Sequence, residues 1–248
     1  MAFCMAAVAD WPGVKRYVDE LKSTAKTFET PLAGPLGLLT TYLTGVYHQG
    51  IGDFDTALRI YENEKFNLTP PKSSHVSSVD QVERDVALLA ALNSLLILQD
   101  VRRQDPNNNA ALLAKLEPFC SKHPNKDIET AYNLVVATVN TNPPSPMYKI
   151  KNYLRAALSG AQATANTQFL CITLNVMCSR FFNNVVGEQA EKSAMAASVQ
   201  AQKSGNLLWR SVGDGMLAQC YEVQGKKAEA REAWERARLF SQKALPGS

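Results

Sequence analysis

The chain has 248 residues, with 26 Lys plus Arg against 23 Asp plus Glu, a formal charge of +3 and a pI near 8.5. That balance excludes a strongly basic nucleic-acid binder and an acidic disordered chain. The apolar fraction is 46% and charged residues make up 20%, ordinary for a folded protein with a sizeable core. Ala and Leu dominate over only 13 Gly, which leans the composition toward helix.

Helical periodicity recurs along the chain, and no stretch alternates like a half-buried strand followed by a hairpin turn. The N-terminal MAFCMAAVA is apolar but short, lacks a basic start and runs into Asp10, so a signal peptide is not expected. The first helix begins at Pro12, with Val14, Tyr17, Val18, Leu21 and Ala25 on one face. A second covers roughly 34–50 and a third 53–64, starting at Asp53 after Gly52. Residues 67–79 are polar with two prolines and read as a loop. A long helix is expected over 80–103, with Asp80 as cap and Glu83 completing a capping box. Its run 86–98 is the most apolar of the chain, but is too short for a bilayer span and is interrupted by Asn93 and Ser94.

Asp105-Pro106 is a break, followed by helices near 109–121, with Pro118 late in it, and 126–140. After the proline cluster 143–146 there is no proline until residue 246. That tract divides into helices 147–163, 166–183, 186–203, 206–224 and 227–243, separated by Asn166, Gly187, Gly205-Asn206 and Gly225. Long helices joined by turns of two or three residues must be antiparallel neighbours.

Such pairs can stack as repeats, for which the tetratricopeptide template requires a small residue at position 8, an aromatic at 11, Gly near 15, Ala at 20, an aromatic at 24 and Ala at 27. Residues 38–71 supply Gly45, His48, Gly52, Ala57 and Tyr61. Residues 211–244 supply Ala218, Tyr221, Gly225, Ala230, Trp234 and Ala237. Residues 171–204 supply Cys178, Phe181, Ala190, Ala194 and Ala197, with the Gly displaced to 187. Small residues let paired helices approach and aromatics fill the gaps between layers. The expected fold is all-α, a tetratricopeptide-like helical-repeat superhelix (an α-solenoid), with 1–248 as one helical-repeat domain.

Candidate chemistry is sparse. None of the five cysteines lies in a C-x-x-C pair, so Cys4, Cys120, Cys171, Cys178 and Cys220 read as reduced, mostly buried thiols. Cys171 and Cys178 share a helix face but stand about 10 Å apart along the axis, too far for one metal or a disulfide. His48, His75 and His123 are isolated in sequence, and no metal site is expected. There is no phosphate-binding glycine loop and no nucleophile elbow. Asp53 and Asp55 read as helix caps rather than paired catalytic carboxylates, and so do Glu188 and Glu191. No enzyme activity and no cofactor are expected. The last helix carries Lys226, Lys227, Arg231, Arg236, Arg238 and Lys243 against Glu229, Glu232 and Glu235. This can attract phosphates, but pairs such as Glu232–Arg236 describe an ordinary exposed face, and direct DNA contact is not expected.

Four segments together resemble a known family: YLTGVYHQGIGDFDTAL (42–58), LEPFCSKHPNKDIETAYNL (116–134), IKNYLRAALSGAQATANTQFLCITLNVMCSRFF (150–182) and VVGEQAEKSAMAASVQAQKSGNLLWRSVGDGMLAQCYEVQGKKAEA (185–230). They are similar to the C-terminal part of the fungal cohesin-loading factor family, the tetratricopeptide subunit of the cohesin loader. The resemblance spans roughly 36–240. It implies a nuclear scaffold that wraps the N-terminal segment of a large HEAT-repeat loader subunit and helps place cohesin on chromatin for sister-chromatid cohesion and segregation. Cohesin and chromatin are then indirect partners, and no membrane is involved. It also implies that this chain is the C-terminal part of a longer tetratricopeptide array.

In such an array the first helix of each pair lines a concave groove, at template positions 2, 5, 9 and 12. The mapped residues are Leu39, Tyr42, Val46 and Gln49; Ile172, Asn175, Ser179 and Phe182; and Val212, Gly215, Gln219 and Glu222. Asn175 and Gln219 suit hydrogen bonds to an extended backbone, while Tyr42 and Phe182 suit side-chain anchors. The same aromatics fit packing between layers equally well. The alternative is another tetratricopeptide adaptor, cochaperone-like or an assembly subunit, for which Arg180 and Asn175 are candidate ligands of a C-terminal carboxylate.

Overall fold

The computed structural model describes residues 6, 10–27, 32–66, 68, 78–99, 105–182 and 188–244. His75, Cys4 and Gly187 lie outside the described residues. Eleven α-helices and one 3-10 turn, Glu64–Phe66, make up the described regular structure, with no strand among the described residues. The fold is all-α, with consecutive helices packed on one another, a helical-repeat architecture. The chain divides into two compact units, essentially Asp10–Met147 and Tyr148–Ser248.

The first unit holds α1 (Trp11–Thr27), α2 (Gly34–Gly50), α3 (Phe54–Tyr61), α4 (Ser78–Ile97), α5 (Pro106–Cys120) and α6 (Lys126–Thr138). Val14 and Val18 of α1 bury against Leu43 of α2, with Trp11, Tyr17 and Tyr47 around them. A larger core joins α2, α3 and α4 through Leu38, Tyr42, Ala57, Tyr61, Val86 and Ala90. Gly45 is what lets α2 and α3 close up. A Cβ at this position would stand 2.5 Å from Cε1 of Tyr61. Pro118 is accommodated inside α5, in its last turn.

Two helix starts differ from expectation. Helix α5 begins at Pro106, not near 109, because the Asp105 carboxylate accepts from the Asn107 and Asn108 N–H groups and proline suits the first turn. Helix α4 begins at Ser78, so Asp80 lies inside its first turn rather than capping it. There the acid still complements the helix dipole.

The second unit holds α7 (Met147–Ala163), α8 (Thr167–Phe182), α9 (Glu188–Ser204), α10 (Leu207–Val223) and α11 (Lys227–Ala244). Ile150, Leu154, Ala157 and Ala161 bury one stripe of α7. Cys178, Ala190, Ala194, Leu217 and Cys220 form a core shared by α8, α9 and α10. Ala218, Ala230, Ala233 and Ala237 bring α10 and α11 close together. Small side chains at these positions replace interdigitation with backbone approach.

One turn design joins these hairpins. After α9, Gly205 N–H donates to Gln202 O and Asn206 N–H to Ala201 O. After α10, Gly225 donates to Glu222 O and Lys226 to Tyr221 O. After α2, Gly52 donates to Gln49 O and Asp53 to His48 O. In each, the glycine holds a positive φ, between +71° and +82°. In two of the three the next residue also caps the following helix: Asp53 accepts from Thr56 N–H, Asn206 from Trp209 N–H.

Candidate protein-interaction surface

The groove residues expected from the template fall into three environments. On α2, Tyr42 is buried, and its hydroxyl accepts from Asn93 Nδ2 at 3.1 Å. Burial pushes that hydroxyl up to about 12. The same Asn93 amide donates to the Tyr61 hydroxyl at 3.3 Å, and Tyr61 donates to Gln49 Oε1 at 2.9 Å. Tyr42 and Tyr61 stand 6.0 Å apart between ring centres. Leu39 and Val46 are half-buried against the same core. This end is therefore a satisfied polar network inside an apolar core, in which Tyr42 shapes the surface from beneath. Asn93, the residue that interrupts the apolar run, is its hub. Its polarity amid apolar neighbours was the available signal.

On α8, Ile172 and Ser179 are half-buried. Asn175 is 3% exposed, and neither its Nδ2 nor its Oδ1 has a hydrogen-bond partner. An orphaned buried amide is costly, so this position is chemically demanding. The side chain of Phe182 lies outside the described residues. On α10, Val212, Gly215 and Gln219 are half-buried and Glu222 is exposed. Glu222 Oε1 accepts from the Trp234 indole N–H at 2.8 Å.

Asp214, one residue from the mapped Gly215, escaped the sequence reading. It is 2% exposed, accepts from Ser198 Oγ at 2.9 Å and faces Arg236 Nε at 3.7 Å. It thus ties α10 to α9 and α11. Arg236, expected to pair with Glu232, is directed at Asp214 instead. The only hint was an acid between two glycines, SVGDGML. Likewise Glu191, expected as a cap, reaches the α10–α11 turn, accepting from Gln224 Nε2 at 2.7 Å with Lys226 at 3.5 Å. Glu188 pairs with Lys192 at 2.9 Å.

Several other titratable groups have structural roles. Asp53 caps α3, and its bonds to Thr56, with His48 at 3.0 Å, hold its carboxyl below the usual range. His123 is buried, accepts from Asn125 N–H at Nδ1 and sets Nε2 3.4 Å from Asp85. This pins the α5–α6 turn to α4. Burial raises the thiols of Cys120 and Cys178 to about 12 and Cys171 to about 11. Cys178 and Cys220 stand 4.0 Å apart, sulfur to sulfur, as free thiols. Among the described residues no group of three or more His, Cys, Asp or Glu is placed to hold a metal, and no helix is long and apolar enough to cross a membrane.

Helix pairs closed by small residues, joined by one recurring turn and offering helix faces as their accessible surface define a helical-repeat interaction protein. The particular family follows from comparison of the sequence. The family model described as cohesin loading factor matches residues 1–228, and the chain belongs to that family. The match takes in residues ahead of position 36, where the resemblance was first legible. No curated protein and no solved structure matches the chain. Family membership gives the protein a role in cohesin loading.

Proposed function

We propose that the protein is a non-catalytic scaffold subunit of the cohesin loader, acting in the nucleus on chromatin. It binds the N-terminal segment of the large HEAT-repeat loader subunit, and through it serves cohesin loading and sister-chromatid cohesion. The observation that carries this reading is the family match, which runs through both compact units. Paired helices with small residues at their contacts support it, because such stacks present long ordered faces to extended peptides.

The contact surface we assign is the α8 and α10 part of the mapped groove, Ile172 and Ser179 with Val212 and Gln219, over the buried Asn175. Gln219 offers an amide for a peptide backbone, and Ile172 and Val212 offer apolar contact. Glu222 borders this face. Within the first unit, Leu39, Val46 and Gln49 form a separate candidate face on α2, supported by the buried Tyr42.

The test is co-expression with the N-terminal segment of the large loader subunit, followed by sizing chromatography. One-to-one co-elution is expected, and Val212→Glu with Gln219→Glu should abolish it without loss of helicity. Separate elution of two folded proteins sinks the partner assignment. Co-elution that the double substitution leaves intact moves the contact to another face.

A further inference from the structure

Helix α11 carries an indole set between cations that the fold does not neutralise. Trp234 is 40% exposed, a large apolar surface to leave in water. Its ring is nonetheless fixed. The Nε1–H donates to Glu222 Oε1 at 2.8 Å, and the ring lies over Gly215, where a Cβ would stand 3.6 Å from Cζ3. Lys227, Arg231, Glu235 and Arg238 line a cleft of about 420 Å³ with Trp234 and Glu222. No side-chain hydrogen bond or ion pair engages Lys227, Arg231 or Arg238 among the described residues, whereas Arg236 on the same helix is turned to Asp214. Three free cations thus face two carboxylates, one of which already holds the indole.

We infer that this cleft docks an extended acidic segment of a partner protein carrying one apolar or aromatic anchor residue. The anchor lies on the indole, which is already oriented and loses little freedom on binding. Its acidic neighbours pair with Arg231 and Arg238, whose guanidinium forks suit carboxylates. Lys227 to Arg238 spans about 16 Å of helix axis, the reach of about five extended residues. A nucleic-acid strand fits less well, since Glu222 and Glu235 stand in the same lining and repel phosphates. The cleft shares Glu222 with the edge of the proposed loader-subunit face, and substitutions at Arg231 and Arg238, which lie on α11 alone, separate it from the contact tested above.

The test uses the full chain and a short fluorescein-labelled peptide of Asp and Glu around one central Phe, read by anisotropy. Saturable, salt-sensitive binding is expected. It should weaken about ten-fold or more, roughly 1.4 kcal/mol, with Phe changed to Gly in the peptide or with Arg231→Glu plus Arg238→Glu in the protein. Both arginines are exposed, so helicity should be unchanged in that variant, and Trp234→Ala serves as a second check. Three results overturn the inference: no saturable binding at millimolar peptide, binding indifferent to the charge reversal, or preferential binding of a labelled oligothymidylate, which assigns the cleft to nucleic acid.

Discussion

Ala165 occupies, in the α7–α8 turn, the place that Gly205 fills in the α9–α10 turn. Ala165 N–H donates to Gln162 O and Asn166 N–H to Ala161 O, the same pair of bonds, and Asn166 caps α8 through Phe169 N–H. The backbone therefore demands the left-handed region, and Ala165 adopts φ 52° where Gly205 has φ 71°. A Cβ in that region is strained, by about 1–2 kcal/mol. Ala165→Gly relieves the strain but adds freedom to the unfolded chain, which offsets part of the gain. We expect a net stabilisation of up to about 1 kcal/mol, seen as a higher urea midpoint. A lower midpoint would show that the turn is not strained.

Asp214 is a buried acid joined to two helices at once. Removing it leaves the Ser198 hydroxyl without its acceptor and the Arg236 guanidinium without its facing charge. Asp214→Ala should cost about 1–3 kcal/mol in urea unfolding. Asp214→Asn keeps an acceptor for Ser198 and should cost clearly less. Equal losses would place the effect in the charge rather than the hydrogen bond.

The buried thiols make an alkaline limit. Cys178 and Cys120 have folded-state values near 12, against an ordinary 9.0. Above roughly pH 9 the unfolded chain gives up these protons and the folded chain keeps them. The stabilising contribution is whole below that point and is lost as pH rises toward about 12. Buried Tyr42, raised to about 12, acts in the same direction. We expect the melting temperature to fall steeply above roughly pH 9, and less steeply in Cys120→Ala relative to its own neutral-pH value. Cys120, Cys171, Cys178 and Cys220 should react with a thiol reagent only on unfolding. A slope unchanged in the variant would remove Cys120 from this account.

Asn175 places an amide where nothing satisfies it. A side chain of the same branching without polar atoms avoids that desolvation, less whatever its larger volume costs in packing. Asn175→Leu is expected to hold or raise stability, by up to about 2 kcal/mol, in thermal or urea unfolding. Loss of stability would mean that the amide is satisfied in solution, for instance by water.

Helix existence, the recurring turns and the small residues at helix contacts were legible in the sequence, because each rests on local spacing. Gly52, Gly205 and Gly225 announce a left-handed position, and Asp53, Asn166 and Asn206 announce a cap. Ala165 gave no such signal, since alanine is ordinarily helical and only the closed turn forces its φ. Family membership was legible too, in segments whose residues no generic helix pair requires. The surface was less legible. Template position alone sets Tyr42 on an accessible face of α2, yet Tyr42 is enclosed by Asn93 and Tyr61, far off in sequence. Arg236 looks like any other cation of α11 until Asp214, on a different helix, claims it. Its neighbours Arg231 and Arg238 stay free for the opposite reason, having no buried acid within reach. The sequence by itself determined periodicity, capping and composition, which act over a few residues. Only the tertiary structure decided burial and pairing, because these depend on which distant side chains arrive at the same place.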